Sequence, residues 1–422
     1  MSVFIKLLRE SIFSSFHELN ANRLRTFLSV LGITIGIFCI ISVFSAVDSL
    51  ENNVKTSFEK LGENVIYIQR FPWNEDPRAN WIKFFRRPSA KYSEFKLLKE
   101  QLGSADAVAI MLFIKGKSAK HGNYIMEDVD LFATSHDYYK MKDFDFDDGR
   151  YFSSSESQRG SNVAIIGGNI AGELFPSQHE IAGRKIKVMD RELTVVGVLK
   201  KEGDDIIGMT YDNNIIVPYN YAKTIINVDG KWVEPFIAIQ ATEGVDQEEM
   251  MDEARGAMRT IRKLKPRQED NFALNQVSII TGVLTAVFRI INMAGGAIGL
   301  FSILVGGFGI ANIMFVSVKE RTPMIGIKKA LGAKRLFILI EFLMEAIVLS
   351  TLGGLIGLLL VYIESLILEN VIKTAFDINF SLNISLNNAL TGIILSLSIG
   401  LVAGFIPALL ASKMRPVDAI RA

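Results

Sequence analysis

Four stretches of the chain are long, apolar and almost free of charge: Thr26–Val47, Ile290–Val318, Leu336–Ile363 and Leu386–Ser412. An α-helix rises about 1.5 Å per residue, and roughly 20 residues cross the hydrocarbon of a bilayer. Each stretch is long enough, so the pattern predicts four transmembrane helices. Only the third carries charges, Glu341 and Glu345. Between the first two stretches the pattern changes to short apolar segments bounded by turn residues. Strands are predicted at 64–70, 107–115, 129–134, 163–166, 185–189, 193–199, 214–217 and 236–241. Helices are predicted at 92–102 and 246–264. The chain therefore reads as a multi-pass α-helical membrane protein with a large mixed α/β domain between its first and second spans.

Charge orients this arrangement. The net charge of the 422 residues is +1, but it is unevenly placed. Lys6, Arg9, Arg23 and Arg25 precede the first span, and Lys413, Arg415 and Arg421 follow the last. Lys319–Arg335 carries six basic residues and one acid, Glu320. Lys/Arg-rich short segments stay in the cytoplasm. The expected order is a cytoplasmic amphipathic helix at 1–25, a span at 26–47, an extracytoplasmic domain at 48–288 and a span at 289–318. A cytoplasmic loop at 319–335, a span at 336–363, a short extracytoplasmic loop at 364–388, a span at 389–412 and a cytoplasmic tail at 413–422 complete it. Both termini then lie on one side, as four spans require. Residues 48–288 hold 31 basic and 36 acidic side chains, a balance of −5 that does not suit nucleic acid.

Finer features qualify the picture. Phe4, Leu8, Ile12, Phe16 and Leu19 form one helical stripe, as in a helix lying in the membrane interface. The first apolar run is too long for a signal-peptide core, and Phe44-Ser45-Ala46 is a poor cleavage site, so it reads as a retained span. Leu50, Val54, Phe58 and Leu61 continue its helical stripe to Gly62. Residues 71–90 hold three prolines, two tryptophans and Phe84-Phe85, either a small satellite core or a surface for membrane or ligand. Every span carries a GxxxG pair: Gly32/Gly36, Gly295/Gly299, Gly353/Gly357 and Gly400/Gly404. Such pairs let helices approach closely in lipid, within a bundle or at a dimer seam. Glu341 and Glu345 are four apart on one helix face. They read as clamps to Lys or Arg at the inner interface rather than as a proton relay.

Catalytic and metal chemistry finds little support. Gly116-Lys117-Ser118 resembles the end of a P-loop, but Met111 stands where the pattern requires glycine. Val163–Phe175 runs strand, glycines, helix without the G-x-G-x-x-G order. His17, His121, His136 and His179 show no metal-ligand spacing, and Cys39 is the only cysteine, so no intrachain disulfide forms. No G-x-S-x-G elbow or H-E-x-x-H helix occurs. No catalytic residue, metal site or cofactor is expected in this chain.

The segments ANRLRTFLSVLGITIGIF, GRYF at Gly149–Phe152, NVAIIGGNIAGELF, ERTPMIGIKKALGAKRLFILIEFLMEA and PALLASKMRPVDAIRA resemble the MacB/FtsX-type ABC transporter permeases, in the same order and over nearly the whole chain. The resemblance implies a permease of the type VII mechanotransmission class. It implies a separate cytoplasmic ATP-binding subunit that holds ATP and Mg, and a homodimer or a heterodimer with a related permease in the bacterial inner membrane. Carried over, the coupling helix comprises Arg321, Ile325, Gly326, Lys328, Lys329, Ala330, Leu331, Gly332 and Ala333. Relatives carry an arginine and a glutamate where Pro323 and Met324 stand here, which points to a divergent ATPase partner. Export of peptides, antibiotics or lipid-linked substrates follows from the resemblance, with a periplasmic adaptor and outer-membrane channel as possible partners. The alternative is an FtsX-like signal relay that activates a cell-wall hydrolase or senses peptides.

Overall fold

The computed structural model describes residues 23–59, 62, 64–75, 80–176, 180–203, 210–230, 232–376 and 380–421. The amphipathic stripe of 3–19, His17 and His179 lie outside them. The chain forms two compact units, one built on the long helices and the other from Asn53–Thr285 with Phe376–Phe380.

The second unit is organised by one mixed sheet. Its strands are β1 (Val65–Gln69), β2 (Ala105–His121), β3 (Tyr124–Thr134), β4 (Phe146–Gly149), β5 (Val163–Ile166), β6 (Lys185–Val188), β7 (Arg191–Leu199), β8 (Asn214–Pro218), β9 (Phe236–Ala241) and β10 (Ala273–Gln276). The order is β10-β1-β9-β2-β3-β8-β5-β7-β4, with β6 pairing β2 and β7 outside this path. Successive strand side chains point to opposite faces. Ile66, Ile68, Val108, Ile110 and Leu112 therefore enter one core, and Val65, Tyr67, Ala107, Ala109 and Met111 enter another. Both faces are covered, which is why these strands read as continuous apolar runs. Helix Tyr92–Gln101 packs Phe95 and Leu98 into the first core, and helix Gln247–Ile261 adds Met250, Ala254 and Met258. Arg262 ties the two helical segments together, donating from Nε and Nη2 to Glu94 at 2.9 and 3.0 Å.

Two motifs of this unit, the P-loop-like Gly116-Lys117-Ser118 and the family-like Gly149–Phe152, include glycines at positive φ. Gly116-Lys117-Ser118 lies within β2, where the register shifts at a bulge and Gly116 has φ +66°. In Gly149–Phe152, Gly149 has φ +79°, and a Cβ there would lie 2.3 Å from Val196 O. Arg150 pairs with Glu156 through two bonds of 2.9 and 3.0 Å, and Phe152 is buried. The Arg150 hydrogen bonds hold the Glu156 carboxyl down at about 2. This small contribution to stability is present above the ordinary carboxylate range and fades as pH falls through that value. β4 and β10 are the strands that apolar pattern does not predict. FDDG and ALNQ are only four residues long with two polar residues each, and pairing with β7 and β1 makes them strands.

The other unit holds most of the long helices Arg23–Glu59, Val277–Glu320, Arg335–Phe376 and Leu386–Lys413, whose ends at 53–59 and 277–285 belong to the sheet unit. Each is long and apolar enough to cross a membrane. The first three continue well past the charge-free windows, because a charge at a membrane edge does not end the backbone ladder. The third helix reaches Phe376, so the connection to the fourth is shorter than 364–388. Ile33, Ile37, Ile40 and Ile41 from the first helix share a core with Ile310, Met314, Phe342, Ala346, Ile399 and Ala408. Phe301, Val305 and Phe308 remain exposed, as lipid-facing side chains would.

Polar contacts within this unit join distant segments. Thr34 donates to Gly353 O at 3.1 Å, Ser42 to Glu364 at 2.5 Å and Asn388 to Asp48 at 2.9 Å. Seven of the eight paired glycines lie within 4 Å of another helix of the same chain when a Cβ is added, while Gly32 meets nothing. Gly295 and Gly299 approach Val43 and Ile40, and Gly36 approaches Ser302. Gly353 and Gly357 meet Ile33 and Ile37, and Gly400 and Gly404 meet Ala346. A Cβ at Gly400 would lie 2.1 Å from Ser350 Oγ and 2.9 Å from Ala346 O, which is backbone and cannot swing aside. Gly400→Leu is expected to cost about 1–3 kcal/mol. A melting curve of the detergent-solubilised protein should drop for Gly400→Leu and hold for Gly32→Leu.

Candidate functional site

The loop between the second and third long helices folds as a short helix, Thr322–Ala330. Pro323 sits in its first turn, where a missing N–H costs nothing. Leu331 closes the helix, and Gly332 follows at φ +96°, a conformation that favours glycine. Arg335 then begins the third long helix.

The six cations of this loop divide into two groups. Arg321, Lys328 and Lys329 turn inward. Arg321 donates from Nη1 and Nη2 to Glu345 at 3.2 and 3.4 Å, with its guanidinium 5.9 Å from the Phe342 ring. Ser317 adds a contact to Glu345 at 3.5 Å. Lys328 Nζ donates to Glu341 at 2.6 Å. Lys329 Nζ donates to the carbonyls of Ser412 and Met414, both at 2.6 Å. Burial together with the nearby Arg335 charge lowers the Lys329 ammonium below its usual range. The C-terminal helix Pro416–Arg421 packs on the short helix. Lys319, Lys334 and Arg335 stay exposed.

The apolar residues divide as well. Ile325 and Gly326 are buried, and Ala333 is half-buried against the membrane-unit core. Met324, Ile327, Ala330, Leu331 and Gly332 face outward, with Leu331 84% exposed. The inward cations thus hold a short helix whose free edge is apolar. That edge can insert into a groove of a partner, while the exposed cations set its orientation. Sequence reasoning selects Leu331 and Ala330 but passes over Met324 and Ile327. An apolar residue beside a membrane span reads as core, and only the direction of the helix reveals its exposure.

The remaining sequence candidates lie elsewhere. His121 Nδ1 contacts Lys185 O at 2.7 Å, and His136 Nδ1 contacts Phe152 O at 2.9 Å. Among the described residues, no group of three His, Cys, Asp or Glu side chains is placed to hold a metal ion.

Four membrane-length helices, with an α/β domain between the first two, define a multi-pass membrane protein. Residues 26–257 match the MacB-like periplasmic core domain, and residues 296–416 match the FtsX-like permease C-terminal domain. The chain belongs to this MacB/FtsX family of ABC transporter permeases. It is 29% identical over 414 residues to the macrolide export ATP-binding/permease protein MacB of Bdellovibrio bacteriovorus, covering 98% of this chain and 61% of that one. It is 27% identical over 418 residues to the pyoverdine export ATP-binding/permease protein PvdT of Pseudomonas syringae pv. tomato, covering 98% and 59%. The chain thus spans about three-fifths of the length of these curated relatives. The periplasmic region of MacB from Actinobacillus actinomycetemcomitans aligns with a TM-score of 0.43 at 14% identity, over 54% of this chain and 95% of that one.

Proposed function

We propose that this chain is the membrane subunit of an ATP-driven machine in a bacterial cytoplasmic membrane, with both termini in the cytoplasm. An ABC ATP-binding partner holds ATP and Mg and docks on the short helix Thr322–Ala330. Its closure draws paired permease chains together, and the motion reaches the α/β domain through the long helices. The observation that carries this reading is the inward pinning of Arg321, Lys328 and Lys329, which leaves Met324, Ile327 and Leu331 as a free apolar edge. The unbroken helix Arg23–Glu59, which extends past its membrane-length apolar run, supports transmission of movement. Export of an antibiotic, a peptide or a lipid-linked molecule fits the relatives' names, which specify macrolide and pyoverdine export.

Met324→Asp and Leu331→Asp test the docking edge. Both side chains are exposed, so the melting temperature should hold. Co-purification of the ATP-binding subunit should fall by roughly tenfold, equivalent to losing about 1.4 kcal/mol of binding. Unchanged co-purification with unchanged stimulated ATP turnover would overturn the assignment.

A further inference from the structure

The sheet unit carries a cleft of about 750 Å³, lined by Arg70, Phe85, Arg86, Arg87, Tyr92 and Lys223 among others. Pockets of roughly 300–1,000 Å³ suit small organic molecules. The lining holds five cations, counting Lys91, against one carboxylate, Asp229. That is the reverse of the acidic balance of residues 48–288.

The cations are set in place. Arg70 is 7% exposed, and its Nη1 pairs with Glu234 at 3.2 Å. Its Nε is buried with no hydrogen-bond acceptor among the described residues. A buried donor without an acceptor is uncommon and marks a place where a ligand atom or water is expected. Arg87 donates to Arg70 O at 3.2 Å and lies 4.7 Å from the Phe84 ring. Burial lowers its guanidinium below the ordinary range, opposed by the charges of Glu75, Glu269 and Asp270. Lys223 Nζ sits 4.1 Å from the Tyr92 ring, which stacks on Tyr219. Arg86, Lys91 and Lys223 form no ion pair with a described carboxylate.

An aromatic wall stands beside these charges. Phe85 lies 5.2 Å from the Arg70 guanidinium, 4.9 Å from Trp81 and 5.3 Å from Trp232. Trp81 stacks in turn on Phe71, while Trp232 is 82% exposed. Phe84 is buried and Phe71 and Phe85 are half-buried, so the cluster has a small core of its own, while Trp81 and Trp232 extend it as an exposed apolar surface beside the cations of the cleft.

We propose that this cleft binds a small amphiphilic acid, one carboxylate or phosphate group on an apolar, ring-bearing body. The anionic group meets Arg86, Lys223 and the other cations that line the cleft, and the apolar body lies on Phe85 and reaches toward Trp81 and Trp232, which adjoin that ring. The site stands on its own geometry and does not depend on the ATPase assignment.

The test uses the full chain in phosphatidylcholine nanodiscs, titrated with 1-naphthyl phosphate, inorganic phosphate and 1-naphthol. Calorimetry gives affinity. Intrinsic fluorescence gives location, because all three tryptophans lie in 73–232, with Trp81 and Trp232 at the wall. Naphthyl phosphate should bind saturably, about tenfold or more tighter than either control. Arg86→Glu and Lys223→Glu, both at exposed positions, should each weaken it by about tenfold. If one variant melts early, the other carries the comparison. Displacement of the probe when phosphatidylglycerol enters the disc assigns the natural acid to a lipid headgroup, and its persistence assigns a soluble molecule. No saturable binding, equal binding of naphthol, or unchanged binding in the charge variants would overturn the site.

Discussion

Arg321→Met is expected to destabilise the helical unit by about 3–5 kcal/mol, because it removes the guanidinium that faces a buried carboxylate. Glu345 is 8% exposed, and Arg321 supplies both of its guanidinium contacts. Ser317, at 3.5 Å, is too distant to replace them. The double variant Arg321→Met/Glu345→Leu should recover most of the loss, since two apolar side chains in place of a buried pair are often neutral. Denaturation in mixed detergent micelles measures both. A double variant no more stable than the single one would show that the pair does not act as a unit. On the proposed docking, ATP turnover by the partner separates stability from coupling, because the double variant should fold while its short helix loses an anchor.

The second large effect is expected at Gly167, in the double glycine after β5. A Cβ there would lie 2.0 Å from Tyr211 O and 2.3 Å from Asp212 O. Both are backbone atoms of a segment that Asp212 fastens by accepting from Glu202 N and Gly203 N at 3.0 and 2.8 Å. Gly168 is as confined, with Lys201 Cα 2.7 Å from its added Cβ. Neither neighbour can move without breaking the strand connections on either side. Gly167→Ala should therefore cost more than about 3 kcal/mol, a size seen when a core cannot relax. Gly172→Ala, with nothing within 4 Å, is the control. Equal near-UV circular dichroism and melting for the two variants would refute this account.

The membrane helices were legible because crossing lipid demands long runs of one character, and a run survives local detail. The central strands were legible for a related reason: β5 and residues 215–217 of β8 are buried on both faces, so VAII and IIV admit only apolar residues. β4 and β10 were hidden because four residues such as FDDG carry no period of their own. At the short helix, the four-residue spacing of Glu341 and Glu345 placed them on one face from sequence alone. Which cation meets which acid depends on how Thr322–Ala330 turns back along the third long helix, and no local pattern encodes that. Counting charges also cannot separate Lys329, bonded to two carbonyls, from exposed Lys334. The Phe71–Ala90 aromatics left two readings open because a tryptophan looks alike in a core and at a binding surface.

β1 follows the first long helix and β10 leads directly into the second, and the two strands are hydrogen-bonded neighbours. They run antiparallel, with Ile66 opposite Gln276 and Gln69 opposite Ala273, so the ends that join the helices lie at the same end of the ladder. Tension that spread those ends would unzip the bonds one after another instead of loading them all in shear. Such a seam is mechanically weak against separation. The proposed transmission of movement therefore requires the two helices to travel together, since prising them apart would open the seam first.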